Sequence, residues 1–162
     1  MLFGAPVVVS INRFIDDNID ELQYIKSYAI QSGASVAVIC DPYGNGSKGC
    51  IELAEEVIKQ CENLNNFHFL YDNDINLGDK IIIVIEKIYG AKDVEFSKDV
   101  LKKLTTFEML GWRRMPVCIA KIPLSLSDDA NLKGVPDDFV INIKEVKPVC
   151  GAGFIVAVAG NI

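Results

Sequence analysis

Residues 36–50 read VAVICDPYGNGSKGC. A short buried-strand pattern, 36–40, runs into three glycines, Gly44, Gly46 and Gly49, in G-x-G-x-x-G spacing. An amphipathic helical pattern follows, with Ile51, Ala54, Val57, Ile58 and Cys61 on one face. Strand, glycine loop and helix in this order fit a parallel α/β unit, where ligands gather at strand carboxyl ends. The loop has two readings, a dinucleotide phosphate cradle or a flexible glycine turn. Asp72 lies about 20 residues on, where a ribose-binding acid would sit. Against the cradle, Asp41, Pro42 and Tyr43 separate the strand from the first glycine, and Asp41 sets a carboxylate beside any phosphate. Gly49 is followed by Cys50, so the loop is not a G-x-x-x-x-G-K-[ST] motif.

Outward from this stretch the same alternation continues. PVVVSI at 6–11 reads as a strand buried on both faces. Ile19, Leu22, Ile25 and Ala29 recur at helical spacing, and Gly33 stands where a helix ends. FHFLY at 67–71 reads as a third strand. The first half is therefore expected to be a parallel βαβαβ unit. Two loops leave strand carboxyl ends, 12–18 and 41–49, and each carries one aromatic residue, Phe14 and Tyr43. Two such rings either sandwich a flat heterocycle or cover the sheet edge.

The second half reads as a smaller α+β unit, with the boundary near 72–78, giving units 1–75 and 76–162. The run 81–85, IIIVI, has strand propensity, yet Leu77, Ile81, Ile85 and Ile88 keep helical spacing with Gly90 as a stop. The pattern leans to helix. Ser97 is placed to cap a further helix bearing Val100, Leu104 and Phe107, with Gly111 after it. VCIAKI, FVINIKEV and FIVAVAG read as strands.

Composition narrows the function. Half of the 162 residues are apolar, enough for a core. A net charge of −6 argues against binding nucleic acid through its phosphates. No apolar run is long enough to span a bilayer, and no secretory leader is visible at the first residues, so a cytoplasmic chain is expected. The five cysteines, at 40, 50, 61, 118 and 150, lack C-x-x-C spacing and stand beside a single histidine. They are expected to be reduced, mostly buried thiols, with no metal site. His68 is expected to be structural or exposed. Asp128–Asp129 and Asp16–Asp17 are expected to be solvated turns, with Ser127 or Asp128 bonding local backbone.

The order of segments carries a resemblance. GAPVVVSINRF (4–14), FLYDNDINLGDKI (69–81), IYGAKDVEFS (88–97), LGWRRMPVCIAKIPLSLSDD (110–129), KGVPDDFVINIKEV (133–146) and GAGFIVAVAGNI (151–162) resemble the C-terminal portion of formate–tetrahydrofolate ligase. That resemblance implies an α/β ATP-dependent ligase making 10-formyltetrahydrofolate from formate and tetrahydrofolate through formyl phosphate. It implies a helix over 79–89. It places Phe14 at the family's stacking phenylalanine and Tyr43 at a position usually tryptophan, flanking the pterin ring, with Ile39 and Ile15 beside them. Gly44, Gly46 and Gly49 would then shape the pocket. Three positions depart from the family pattern: Ile15 for proline, Tyr43 for tryptophan, and Ile122 for threonine. The resemblance further implies a small-molecule substrate, a homo-oligomer at full length, and a P-loop domain of the same enzyme that handles ATP. No catalytic residue is expected in this chain, which is expected to be a portion inactive by itself. Two other readings remain: a stand-alone nucleotide-binding module using the loop 44–49, and a non-catalytic assembly module.

Overall fold

A computed structural model describes residues 2–63 and 66–160 of the chain. They form two compact units, Met1–His68 and Phe69–Ile162.

Unit 1 is built on two parallel strands, β1 (Val8–Asn12) and β2 (Val36–Cys40), paired from Val8↔Val36 to Asn12↔Cys40. Between them runs α1 (Ile19–Gln31). Its N-terminus is capped by Asn18, whose side-chain oxygen accepts from the Asp20 amide at 2.8 Å. Gly33, at φ +101°, follows the helix as the spacing required. Ile11, Leu22 and Ala37 make a small core, with Val9, Ala29 and Ile39 packed against it. Alternation sends these strand residues to the face that α1 covers, and Val38 and Cys40, also buried, to the other. α2 (Pro42–Asn45), a 3-10 turn (Gly46–Cys50) and α3 (Ile51–Glu62) follow β2.

Three expectations change here. The segment 67–71 is not a strand. The amides of Asn66 and His68 donate to the carbonyls of Gly4 (3.3 Å) and Phe3 (3.1 Å), and a ladder goes no further among the described residues. Helix α3 forms as expected, but no residue of it is buried, and Ile51, Val57 and Ile58 on its apolar stripe are exposed. Of the cysteines, all free, only Cys40 is buried; Cys50 is half-buried, and Cys61, Cys118 and Cys150 are exposed.

Unit 2, Phe69–Ile162, is the α+β unit. Its mixed sheet has the order β3-β5-β6-β4. The strands are β3 (Asp93–Phe96), β4 (Val117–Ala120), β5 (Val140–Val149) and β6 (Phe154–Ala159). β5 and β6 are antiparallel, while β3 and β4 each run parallel to their neighbour. A register shift between Ile143 and Glu145 moves the buried positions of β5 from Ile141 and Ile143 to Val146.

The ambiguous run 81–85 is helical. In α4 (Leu77–Val84), Leu77 and Ile81 are fully buried with Ile85 just beyond, one face on the core. A π-helical turn (Ile85–Tyr89) completes it, and Gly90 closes it at φ +75°. In α5 (Lys98–Met109), Ser97 Oγ accepts from the Val100 amide at 3.2 Å, and Val100, Leu104 and Phe107 are buried. The core joins these helix faces to Ile141, Ile143, Ile155, Ala157 and Ala159.

Candidate functional site

The candidate site stands at the carboxyl end of the two strands of unit 1. One bond beyond the last strand pair brings its loops together: the Arg13 amide donates to the Cys40 carbonyl at 2.7 Å. Arg13 and Asp41 therefore leave the sheet side by side.

The first loop is closed by its own residues. The Phe14 amide donates to Asp17 Oδ2 at 2.8 Å, and the Asp17 amide donates to the Phe14 carbonyl at 3.2 Å. This is a turn with Ile15 at its second position, where proline is favoured. The turn holds without proline because the Asp17 carboxylate clamps it. Asp17 thus bonds local backbone, as a turn acid is expected to.

The second loop is organised by Asp41. Pro42 opens α2, and Asp41 caps it: Oδ1 accepts from the Gly44 amide at 2.7 Å and Oδ2 from Asn45 Nδ2 at 2.8 Å. The Asn45 amide donates to the Asp41 carbonyl, and the Gly46 amide to the Pro42 carbonyl. These three amides, which a phosphate cradle would turn toward its ligand, are engaged within the loop. The glycines have local causes. Gly46 sits at φ +54°, ψ −138°, a region L side chains avoid. A Cβ on Gly49 would lie 2.1 Å from the Asp41 carbonyl oxygen.

Between the loops is a cavity of about 220 Å³ lined by Arg13, Phe14, Ile15, Asp41, Tyr43 and Gly44. The rings of Phe14 and Tyr43 are 6.4 Å apart between centroids and tilted by 43°. Both are exposed, Phe14 by 59% and Tyr43 by 79%. A ring stacked on both faces needs two contact distances, about 7 Å in all. The observed separation is slightly short of that, and such exposed side chains can turn to open it. The volume is below the roughly 300 Å³ at which drug-sized pockets begin, so it suits one ring system.

Of the residues singled out from sequence, Phe14, Ile15, Tyr43 and Gly44 line this cavity. Ile39 instead packs on the small core, and Gly46 and Gly49 shape the loop behind the cavity. Arg13 and Asp41 line it without having been proposed as ligand contacts. For Asp41 the readable signal was Asp-Pro with a glycine three places after the acid, a cap and first-turn pattern.

The other candidates stand apart. Asp72 Oδ1 accepts from the Asp74 amide at 2.9 Å, a local turn. His68 is exposed, with Nδ1 3.0 Å from the Asn66 carbonyl. Ser127 Oγ accepts from the Asp129 amide at 3.2 Å, while Asp128 ties across to the Asn142 amide at 3.0 Å. A larger hollow of about 720 Å³ in unit 2 is lined by Asp99, Lys102, Lys103, Lys144, Glu145, Val158 and Gly160. Among the described residues it has no aromatic wall on which a flat ring could stack. Among the described residues no group of three or more His, Cys, Asp or Glu side chains is placed to hold a metal ion. No helix among them is long and apolar enough to cross a membrane.

The sequence model for formate–tetrahydrofolate ligase matches residues 1–162, and the chain belongs to that family.

Proposed function

We propose that the cavity of unit 1 holds the flat ring of tetrahydrofolate between Phe14 and Tyr43. The chain then supplies the folate side of an ATP-dependent ligase that joins formate to tetrahydrofolate as 10-formyltetrahydrofolate. The observation that carries this reading is the pair of exposed rings, 6.4 Å apart across one cavity, in a chain of this family. Ile15 and Gly44 border the ring, and Gly46 and Gly49 let the loop turn behind it.

ATP belongs elsewhere in this reading. No G-x-x-x-x-G-K-[ST] occurs in the 162 residues, and the loop amides that could face a phosphate bond internally. A P-loop domain of the same enzyme handles ATP and formyl phosphate, and this chain alone is inactive as a ligase. The exposed stripe of Ile51, Val57 and Ile58 on α3 supports a covered face, which we assign to that domain.

Titrating tetrahydrofolate onto the chain while following tyrosine fluorescence tests the reading. Stacking on an aromatic face contributes about 1–3 kcal/mol, so affinity in the millimolar to high-micromolar range is expected. Phe14→Ala weakens it about 10-fold or more, each factor of ten being about 1.4 kcal/mol. No saturable change at millimolar ligand contradicts the reading. ATP binding lost in Gly46→Val but kept in Phe14→Ala would favour a nucleotide module instead.

A further inference from the structure

We propose that Asn45 is a site of spontaneous deamidation, held in check by the folded loop, and that losing its amide releases the wall of the unit 1 cavity. The inference concerns the loop itself and holds whatever the cavity binds.

Asn45–Gly46 is the one Asn-Gly pair in the 162 residues. Both residues are exposed. Such a pair carries its own reaction. The Gly46 nitrogen, having given its proton to water, attacks Asn45 Cγ. A bond forms between them, the Cγ–Nδ2 bond breaks, and Nδ2 leaves as ammonia, giving a cyclic imide. Water then opens the imide at either carbonyl, leaving aspartate or isoaspartate at this position. Nothing but water is consumed. Glycine favours the attack because no Cβ shields its nitrogen. The loop needs that glycine for its shape: Gly46 sits at φ +54°, ψ −138°, where other residues are strained. The turn therefore carries a labile pair.

The folded loop engages both reacting groups. Asn45 Nδ2 donates to Asp41 Oδ2 at 2.8 Å, which ties the carboxamide to the start of the loop. The Gly46 amide donates to the Pro42 carbonyl. Attack requires both bonds to break, so the loop must open before Asn45 reacts.

The product undoes the same arrangement. A carboxylate at position 45 has no N–H to give Asp41 and sets like charges together where a hydrogen bond stood. Asp41 Oδ1 also holds the Gly44 amide, at 2.7 Å, and Asp41, Tyr43 and Gly44 line the cavity. Disturbing Asp41 therefore loosens the cap and the wall together. Isoaspartate also lengthens the main chain inside the turn.

Peptide mass spectrometry on the full chain, incubated at mildly alkaline pH, follows every asparagine. In denaturant, Asn45 is expected to convert before the others. In the native chain it should convert at least about 10-fold more slowly, because opening precedes attack. Asp41→Asn keeps an oxygen to cap Gly44 but loses the acceptor for Asn45 Nδ2. Native conversion should then quicken about 3- to 10-fold, with the rate in denaturant unchanged. Asn45→Asp imitates the product, and its Gly44 amide should exchange with solvent about 10-fold faster than in wild type. Equal native and denatured rates in wild type overturn the inference, as does another asparagine converting first in denaturant. So does a native rate unmoved by Asp41→Asn, or Gly44 exchange unmoved by Asn45→Asp. The wild-type comparison needs no variant, so it stands even where Asp41→Asn folds poorly.

Discussion

Gly49 does not line the cavity of unit 1, yet the loop that forms its wall depends on that residue. A methyl group there would meet the Asp41 carbonyl at 2.1 Å, backbone against side chain, with no flexible end to give way. Asp41 would have to move, and with it the cap on Gly44 and the position of Tyr43. Gly49→Ala is expected to destabilise unit 1 by about 1–3 kcal/mol, the usual range for overpacking, as measured by urea unfolding. It should also weaken ring binding, which a substitution acting on stability alone would not do at saturating folded protein. Phe14 and Tyr43 could be picked out as lining one cavity because the sequence puts one aromatic residue on each strand-end loop. Asp41 was legible only as a deterrent to phosphate. Its side chain takes the Gly44 amide and Asn45 Nδ2 and so shapes the loop that walls the cavity, which depends on how the loop folds and not on the residue order.

Among the elements, α4 shows how burial overrides propensity. IIIVI at 81–85 has the residues of a strand, but Leu77, Ile81 and Ile85 at fourfold spacing are all fully buried on one face. The same helix buries Lys80, whose Nζ donates to the carbonyls of Arg113 (2.6 Å) and Met115 (3.1 Å) and lies 5.8 Å from the centre of the Tyr71 ring. Burial pushes this lysine below its ordinary 10.5; Asp74 and Glu108 pull it back up, and Arg113 and Arg114 push it further down. The folded chain therefore releases this proton at lower pH than the unfolded chain does. Between the lowered value and 10.5 the unfolded state binds more protons, so stability contributed by Lys80 rises with pH and levels off above 10.5. The slope is at most about 1.4 kcal/mol per pH unit. Burial also lowers Lys121 and raises Tyr89, so the clean quantity is the stability of wild type minus that of Lys80→Met. Denaturant midpoints should show that difference growing toward alkaline pH; a difference that stays flat or shrinks contradicts the burial of a charged Lys80. FHFLY at 67–71 was misread for the complementary reason. Its alternation is local, whereas a sheet strand buries one face, and Phe67 and Phe69 are both exposed.

Taken whole, the chain carries two units of unequal solidity. Unit 2 joins one face of each of two helices and a four-stranded sheet in one core. Among its described residues unit 1 has two strands, three buried residues in its cluster, and a helix α3 with none. Few buried contacts mean low local stability, so amides of α3 are expected to exchange with solvent well before those of α4, β5 and β6 in native-state hydrogen exchange. Comparable protection in α3 would mean that its apolar stripe is covered in solution. The α/β class and most elements could be read from the sequence because strand and helix periods are local. Which faces stay exposed could not, because that depends on what packs against them. The central claim is narrower than the fold: a flat folate ring lies between Phe14 and Tyr43. Its most direct test is a nuclear Overhauser measurement between tetrahydrofolate and the labelled chain. Contacts from the pterin protons to the ring protons of both Phe14 and Tyr43 are expected; saturable binding with contacts to neither ring would contradict the claim.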